Sequence, residues 1–287
     1  MNCKKYIGAL LCILALVWSG AQSAFAQKEL KVLSYNVLKG LQNDSLIQAE
    51  YIDWVNKLSP DIVAYQEMNG FTQKSLEKFA ERYGHPYAIQ SKIEGFPVAL
   101  SSRYPIVNVQ KVVDNMWHAY IYANVNNIHI FVVHFSPFSY KKRQSEMKQI
   151  LAHAALLPQD EKILIMGDFN SLDASEAEHH TADYVSSMQE REKKEAHIRN
   201  LNNGKVDYTV MSYIKDAGFK DTYWLTNKTA TNSIPTKKYG KPSMRRIDYM
   251  WANPAMAKFV KSSTVIHDAT TDHISDHYPV FVTFDLK

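Results

Sequence analysis

The chain is nearly free of cysteine: its 287 residues hold two, Cys3 and Cys12, and neither lies beyond the first 26 positions. From residue 27 onward no disulfide can form, and a cysteine nucleophile or zinc–thiolate site is excluded. A dominant charge is also missing. Lys and Arg number 33 against 29 Asp and Glu, a formal net charge of +4. Lys4 and Lys5 fall within those first 26 positions and no acidic residue does, leaving 31 against 29, a balance of +2. That is far from the profile of a dedicated nucleic-acid binder. An anionic substrate must therefore be drawn by local charge or by a metal. Long apolar runs are lacking too. Ile7 to Val17 is shorter than the ~18 residues that a spanning helix needs, so no stable membrane span is expected.

What that short run fits is a leader. Lys4 and Lys5 supply a positive start, Ile7 to Val17 the apolar stretch, and Ala24-Phe25-Ala26 a small-residue cleavage site. Residues 1–26 are read as a signal peptide and Gln27 as the mature start, which predicts export to the periplasm or the extracellular space. A lipid anchor on Cys12 is disfavoured, because bulky Leu11 stands where a small residue is expected. Residues 27–287 carry no repeat or low-complexity linker and read as one large domain, able to bury a core without staples.

Periodicity predicts a strand over 30–37 and a helix over 45–58 with Ile47, Tyr51, Val55 and Leu58 on one face. Pro60 blocks its continuation, and Ile62 to Glu67 reads as a buried strand. Thr72 suits the cap of a helix carrying Leu76, Phe79, Ala80 and Tyr83, with Gly84 at its end. Strands are predicted near 97–101, 106–113, 118–125 and 128–135, the last two joined by a tight turn at Asn126-Asn127. A helix near 140–156 and a strand from Lys162 to Met166 follow. Residues 171–206 are the least core-like part, and Glu190 to Glu195 reads as an exposed face or loop. A helix over 207–216 and strands near 247–252, 261–267 and 278–285 complete the pattern. Two strand-rich halves with interspersed helices fit an α/β or α+β fold of two packed sheets; pattern alone leaves the sheet order open.

Four strands end on groups that carry chemistry: Asn36, Glu67, His134 and Gly167-Asp168-Phe169-Asn170. Ser275-Asp276-His277-Tyr278-Pro279 completes the set. Hard oxygen donors and imidazoles delivered together from strand ends suit magnesium-assisted attack on a phosphate ester. Taken singly, each motif has a plain structural reading, since Gly, Asp and Asn favour turns.

In order along the chain these stretches resemble the endonuclease/exonuclease/phosphatase superfamily, which includes DNase I-like nucleases, abasic-site endonucleases, sphingomyelinases and inositol-polyphosphate phosphatases. The matching stretches are Ser34 to Val37, Ala64 to Glu67, Ser102 to Ile106, Val133 to Phe135, Gly167 to Asn170, Arg246 to Tyr249 and Ser275 to Pro279. The resemblance implies an α+β, four-layer αββα sandwich with the site in a cleft at the top of two central sheets. It implies Mg²⁺ or Mn²⁺ held by Asn36 and Glu67 with Asp276 nearby. His277 would be the general base for the attacking water, oriented by Asp248. Asp168 and Asn170 would position nucleophile and phosphate, and His134 would hydrogen-bond a phosphoryl oxygen or assist the leaving group. One departure is Val133, where many members have Thr; Ser136 is the available substitute.

Other candidates are weaker. Arg103 and Arg143 read as structural or rim residues, His179-His180 as part of a solvated polar insertion, and His273 as a residue able to line the cleft. Basic residues Lys141-Lys142-Arg143 and the 228–246 loop, with Lys228, Lys237, Lys238, Lys241, Arg245 and Arg246, frame a place for phosphates or anionic head groups. An exposed Trp117-His118-Ala119-Tyr120 would favour a lipid or sugar-phosphate substrate; a buried one would only be core. The expectation is an exported, monomeric, divalent-metal-dependent phosphoesterase acting on phosphodiesters, with nucleic acid ahead of phospholipid head groups. A sphingomyelinase-like or phosphomonoester activity is the alternative. A non-catalytic binding module is disfavoured by the retention of six polar site residues.

Overall fold

Side chains alternate faces along a strand, and in this protein that period decides both the core and the site. The computed structural model describes residues 29–286 apart from Pro242; the expected leader, 1–26, lies outside the described residues. The first sheet has six strands in the order β13 (Val260–Val265), β14 (Val280–Asp285), β1 (Glu29–Asn36), β2 (Ile62–Gln66), β4 (Ala99–Ser102), β3 (Tyr87–Gln90). The second runs β11 (Lys220–Asp221), β12 (Asp248–Ala252), β8 (Lys162–Asp168), β7 (Ile128–His134), β6 (Ala119–Val125), β5 (Ile106–Val112). A small hairpin pairs β9 (Leu201–Asn202) with β10 (Lys205–Val206).

Between the sheets lie Leu30, Val32, Ile62, Ala64 and Val282 from the first, against Ile130, Val132, Leu164, Met166 and Met250 from the second. The outer face of the first sheet, with Leu33, Tyr35, Val63 and Tyr65, is covered by α2 (Ser45–Leu58) and α3 (Gln73–Glu81). That of the second, with Phe131, Val133, Ile163, Ile165 and Trp251, is covered by α4 (Tyr140–Ala154) and α6 (Thr209–Asp216). The four layers are the expected αββα sandwich. The helices begin where the chain supplies caps: Asp44 accepts from Leu46 and Ile47 N–H, Thr72 and Ser75 form a reciprocal box, and Ser139 accepts from Lys142 N–H. The face of α2 is broader than its predicted stripe, because Ile52 and Trp54 are also buried. Short helical turns α1 (Leu38–Leu41), α7 (Thr222–Thr226), α8 (Pro254–Ala257) and α9 (Thr271–Ile274), like β3, β11 and the hairpin, are too short to announce themselves by periodicity.

Topology brings the polar strand ends together. β1 and β2 run parallel at the centre of one sheet, and β7 and β8 parallel at the centre of the other. β14 and β12 are antiparallel to them, so their starts meet the other strands' ends. Asn36 shares the parity of Leu30 and Val32, His134 that of Ile130 and Val132, Asp168 that of Leu164 and Met166, and Asp248 that of Met250. Each continues the inter-sheet face beyond the apolar core, directly for His134, Asp168 and Asp248 and past Ser34 for Asn36.

Residues 171–206 form a polar excursion, with α5 (Ala182–Lys194) contributing no buried residue and the Glu190 to Glu195 run lying mostly on it. The segment is held by buried Leu172, Ile198 and Leu201, by backbone hydrogen bonds between Arg199 and the 138–140 loop, and by charge. Glu176 accepts two hydrogen bonds from Arg246, which also pairs with Asp221 at 2.7 Å. Arg246 is therefore not part of a basic surface, as expected from sequence, but a cation that is 1% exposed, stacked 4.4 Å from the Tyr249 ring.

Gly167 shows how tightly the site-bearing strands approach. Its φ is +142°, and a Cβ there would lie 2.0 Å from the Val133 carbonyl oxygen. Gly167→Ala is expected to force β7 and β8 apart beside His134 and Asp168. Chemical denaturation should show a loss on the order of 3 kcal/mol, against about 1 kcal/mol for Ala at Gly218, where the space is open and only the positive φ of +87° is strained.

Candidate active site

The Asn36 carboxamide sits between carboxylates from both sheets. Its Oδ1 accepts from Leu38 N–H at 3.2 Å, which turns Nδ2 toward Glu67 Oε1 at 3.3 Å and Asp168 Oδ2 at 3.2 Å. Asn36 thus offers these carboxylates its nitrogen, and its oxygen is engaged elsewhere. Glu67 follows the end of β2 with φ +63°, and its Oε2 accepts from Lys39 N–H at 3.1 Å. Burial pushes the Glu67 carboxyl up, partly opposed by His277.

Asp168 closes β8 level with His134 on one side and Asp248 on the other. Its Oδ1 accepts from Asn170 N–H at 2.8 Å, and Asn170 is itself anchored through Nδ2 to the Phe135 carbonyl at 3.0 Å. Burial and the neighbouring Asp248 push Asp168 up to about 8. Asp248 Oδ2 meets His277 Nδ1 at 2.8 Å, and His277 Nε2 stands 3.9 Å from Asp168 Oδ2. Burial alone would lower the His277 pKa; Asp248, then Asp168 and Asp276, lift it well above the usual histidine range. Asp168, Asp248 and His277 converge closely enough to form a metal-type donor group.

His134 differs in kind. Burial, and then the neighbouring His118, push its pKa well below normal, so it is a neutral imidazole. Its Nε2 lies 3.5 Å from Asp168 Oδ2, while Nδ1 is buried with no hydrogen-bond partner. Asp276 is half-buried beside these groups, its Oδ1 shielded and likewise unpartnered. Asp276 raises both Glu67 and His277 electrostatically. The eight expected site residues therefore fall at one edge of the sandwich.

His118 was not singled out as a site residue in the sequence, yet its ring stacks on His134 at 4.1 Å with an interplanar angle of 21°. Burial lowers its pKa to about 3. The signal that finds it is the Asn126-Asn127 turn: counting outward puts Ala119 opposite His134, so His118 comes next. Three serines hold the loops of the site. Ser275 Oγ donates to the Asn36 carbonyl at 2.7 Å and accepts from His277 N–H, tying the final loop to β1. Ser233 Oγ accepts from the Ile247 and Asp248 N–H groups. Ser136, the expected substitute beside His134, instead caps Phe138 N–H and gives its own N–H to Glu146 at 2.9 Å.

Other candidates lie elsewhere. His273 bonds the Ala269 carbonyl and Glu50, and His180 bonds Tyr208 at 2.9 Å and is buried, not solvated. Arg143 is 5% exposed, so the basic patch at the start of α4 reduces to Lys141 and Lys142. Arg103 lies on the rim near Asp61. Trp117 is 49% exposed, edge-on to Phe138 at 5.3 Å.

A family model described as the Endonuclease/Exonuclease/phosphatase family matches residues 33–277. No curated protein matches the chain. Among solved structures, an AP endonuclease from Archaeoglobus fulgidus is similar at 18% identity and TM-score 0.64, covering 90% of this chain and 100% of that one. A 3′ phosphatase from Neisseria bound to product DNA hairpin has 18% identity and TM-score 0.65, with 89% and 99% coverage. A 3′-5′ exonuclease from Neisseria meningitidis has 19% identity and TM-score 0.64, with 89% and 100% coverage. At these identities the likeness shows the shared fold.

The Asp248–His277 pair predicts its own titration. A histidine raised by a carboxylate contributes stability that is fully present below pH 6.5 and lost as pH rises through the raised value. Asp248→Asn should move the His277 imidazole titration to lower pH, followed by ring-nitrogen NMR. An unmoved titration would mean that Asp248 is not what raises it.

Proposed function

The chain belongs to the Endonuclease/Exonuclease/phosphatase family, and from that premise we propose that it is an exported, divalent-metal-dependent phosphodiesterase. Nucleic acid is the leading substrate class. The observation that carries the reading is one imidazole held between two carboxylates: His277 Nδ1 bonded to Asp248 at 2.8 Å, and Nε2 facing Asp168 at 3.9 Å. With Nδ1 engaged, Nε2 is the atom left to accept a proton from water.

The donor set fits a hard cation. Asp276 Oδ1 is shielded yet unpartnered, and Glu67 and Asp168 are crowded carboxylates pushed up by burial. Glu67 and Asp276 are the residues that would hold Mg²⁺ or Mn²⁺, with Asn36 fixing the Glu67 carboxylate. Such an ion, when bound, supplies Lewis-acid polarisation of the phosphate and offsets developing charge. Neutral His134 is suited to donate a hydrogen bond to a phosphoryl oxygen, and stacked His118 holds its ring in place. Asn170, fixed at two points, positions the phosphate beside Asp168. Asp248 holds the His277 tautomer and balances the imidazolium.

Nucleic acid is favoured by the similar structures, among them an AP endonuclease and a 3′-5′ exonuclease of the same fold. Phospholipid head groups are the second reading, favoured by the exposed Trp117 on its Phe138 ledge. A phosphomonoester is the third, since one similar structure is a 3′ phosphatase. Export through residues 1–26, to the periplasm or beyond the cell, and a monomeric state complete the proposal.

Plasmid DNA, RNA, sphingomyelin, bis(p-nitrophenyl) phosphate and p-nitrophenyl phosphate should be assayed with Mg²⁺, Mn²⁺ or EDTA. Diester cleavage should disappear on chelation and fall by about a thousandfold or more in His277→Ala. Turnover that persists in EDTA, or survives His277→Ala, would end the reading; cleaved lipid with intact DNA would move the substrate class. Activity should also rise with pH along a limb set by His277, and Asp248→Asn should shift that limb downward while reducing its height.

A further inference from the structure

Beside Asn170 lies a cavity of about 170 Å³, walled by Arg143 and Ser171 and by residues of the polar excursion and the 228–246 loop, among them Tyr184, Arg191 and Arg245. We propose that this cavity is a subsite for a second, non-reacting phosphate group of the substrate. The inference rests on the phosphoesterase reading and deepens it.

Arg143 carries the argument. It is 5% exposed, and Nη1 donates to two neutral oxygens, the Ser136 carbonyl at 3.0 Å and Asn200 Oδ1 at 2.7 Å. Its Nε is buried without a hydrogen-bond partner. No carboxylate is in ion-pair contact with it; Asp207, Glu146 and Asp168 act on it only at longer range, and a buried guanidinium without a direct partner is costly to hold. Burial does lower its pKa, to about 10, which still leaves it charged at neutral pH. The carboxylate in the same wall, Asp207, is already occupied by neutral donors: Gln144, Asn202 and Thr209.

Arg246 provides the internal comparison. Where this fold buries an arginine for structure, it surrounds it with Glu176 and Asp221. Arg143 receives no such direct pairing, and two further guanidinium groups line the same cavity, Arg191 being held on its outer side by Glu195 at 3.3 Å. Arg245 lies over the Tyr184 ring at 5.5 Å, and Arg191 comes from the same helix, α5. Ser171 Oγ, buried and unpartnered, adds a hydroxyl. Three arginines and a free hydroxyl make a donor-rich pocket, and the planar guanidinium fork matches a phosphate with paired hydrogen bonds.

The position specifies a non-reacting group. Asn170 is common to the cavity and the catalytic cluster, its N–H bonded to Asp168. A phosphate in the cavity therefore sits next to the reacting one without touching His277 or Asp248. A neighbouring backbone phosphate of nucleic acid and a second phosphate on a small sugar share this chemistry.

The test compares substrates with and without the extra group, using the full chain with Mg²⁺. Thymidine dinucleotide is set against the same dinucleotide with a terminal phosphate at either end, and a sugar monophosphate against its bisphosphate. Bis(p-nitrophenyl) phosphate serves as the diester lacking any second phosphate. One added phosphate should raise kcat/KM by about tenfold. Arg245→Met should abolish that gain and leave turnover of bis(p-nitrophenyl) phosphate unchanged. A gain confined to dinucleotides identifies the backbone phosphate, and one confined to sugars the small-molecule source. Equal kcat/KM with and without the extra phosphate, in both proteins, overturns the subsite while leaving the phosphoesterase reading intact. If no ester is cleaved, that reading fails on its own and the pocket is read directly by calorimetric titration of inorganic phosphate. Binding that Arg245→Met and Arg143→Lys each weaken at least fivefold supports the subsite; no binding, or binding indifferent to both, overturns it.

Discussion

One neutral carboxamide holds together what charge would push apart. Asn36 donates one N–H toward Glu67 in the first sheet and another toward Asp168 in the second, with its oxygen fixed by Leu38 N–H. Two buried carboxylates facing each other directly would repel and retain protons; an amide between them lets both sheets end on acids at one edge. The backbone pays for this arrangement: Leu38 to Asn43 all have positive φ, between 42° and 67°, as does Glu67. Left-handed backbone is unfavourable by about 1 kcal/mol or more for each non-glycine residue. Offsetting bonds concentrate at the same spot, with Gly40 N–H to the Glu67 carbonyl at 2.6 Å and Lys39 N–H to its carboxylate. Strain localised this way makes the acidic edge a rigid, preformed feature.

The same edge explains which parts of the molecule were legible in the sequence. Strand parity carries through the core into the site, so His134, Asp168 and Asp248 follow from the apolar residues two and four positions away, and Asn36 from Val32 and Leu30 beyond Ser34. The helix over 45–58 showed an apolar stripe and the one after Thr72 a cap and a stripe, while the helix read near 140–156 ends at Ala154. The short strands and turns showed neither, because two to five residues define no period. Charge was legible but burial was not. Arg143 was read both as a structural or rim residue and as part of a basic patch, and Arg246 as a loop cation; the fold encloses the first with neutral oxygens and the second with two acids. His118 escaped for a related reason: its chemistry lies in a partner reached only through hairpin register.

Glu146 illustrates how the outer layer supports the reaction edge. Buried on α4, it accepts from Trp117 N–H at 2.5 Å and Ser136 N–H at 2.9 Å. Those two backbone groups flank the starts and ends of β6 and β7, so one carboxylate fixes both loops that carry His118 and follow His134. Burial raises its pKa to about 7, opposed by those same hydrogen bonds. The helix that covers the second sheet thus also aligns the imidazole stack, through an acid that the strand pattern itself does not reveal.

A near-neutral chain acting on anions must place its positive charge locally, and the polar excursion is where it does so. Helix α5 buries nothing of its own, so apolar packing cannot explain its position. The Glu176–Arg246–Asp221 cluster anchors the excursion together with buried Leu172, Ile198 and Leu201, and the anchorage brings Tyr184 under Arg245 and Arg191 to the cavity wall beside Asn170. The two buried arginines divide the work. One is fully neutralised and fixes the scaffold; the other keeps its charge available next to the acids that would surround the reacting phosphate. An enzyme that must attract a phosphate toward its own carboxylates needs such an asymmetry, because equal neutralisation would leave the cleft net repulsive to its substrate.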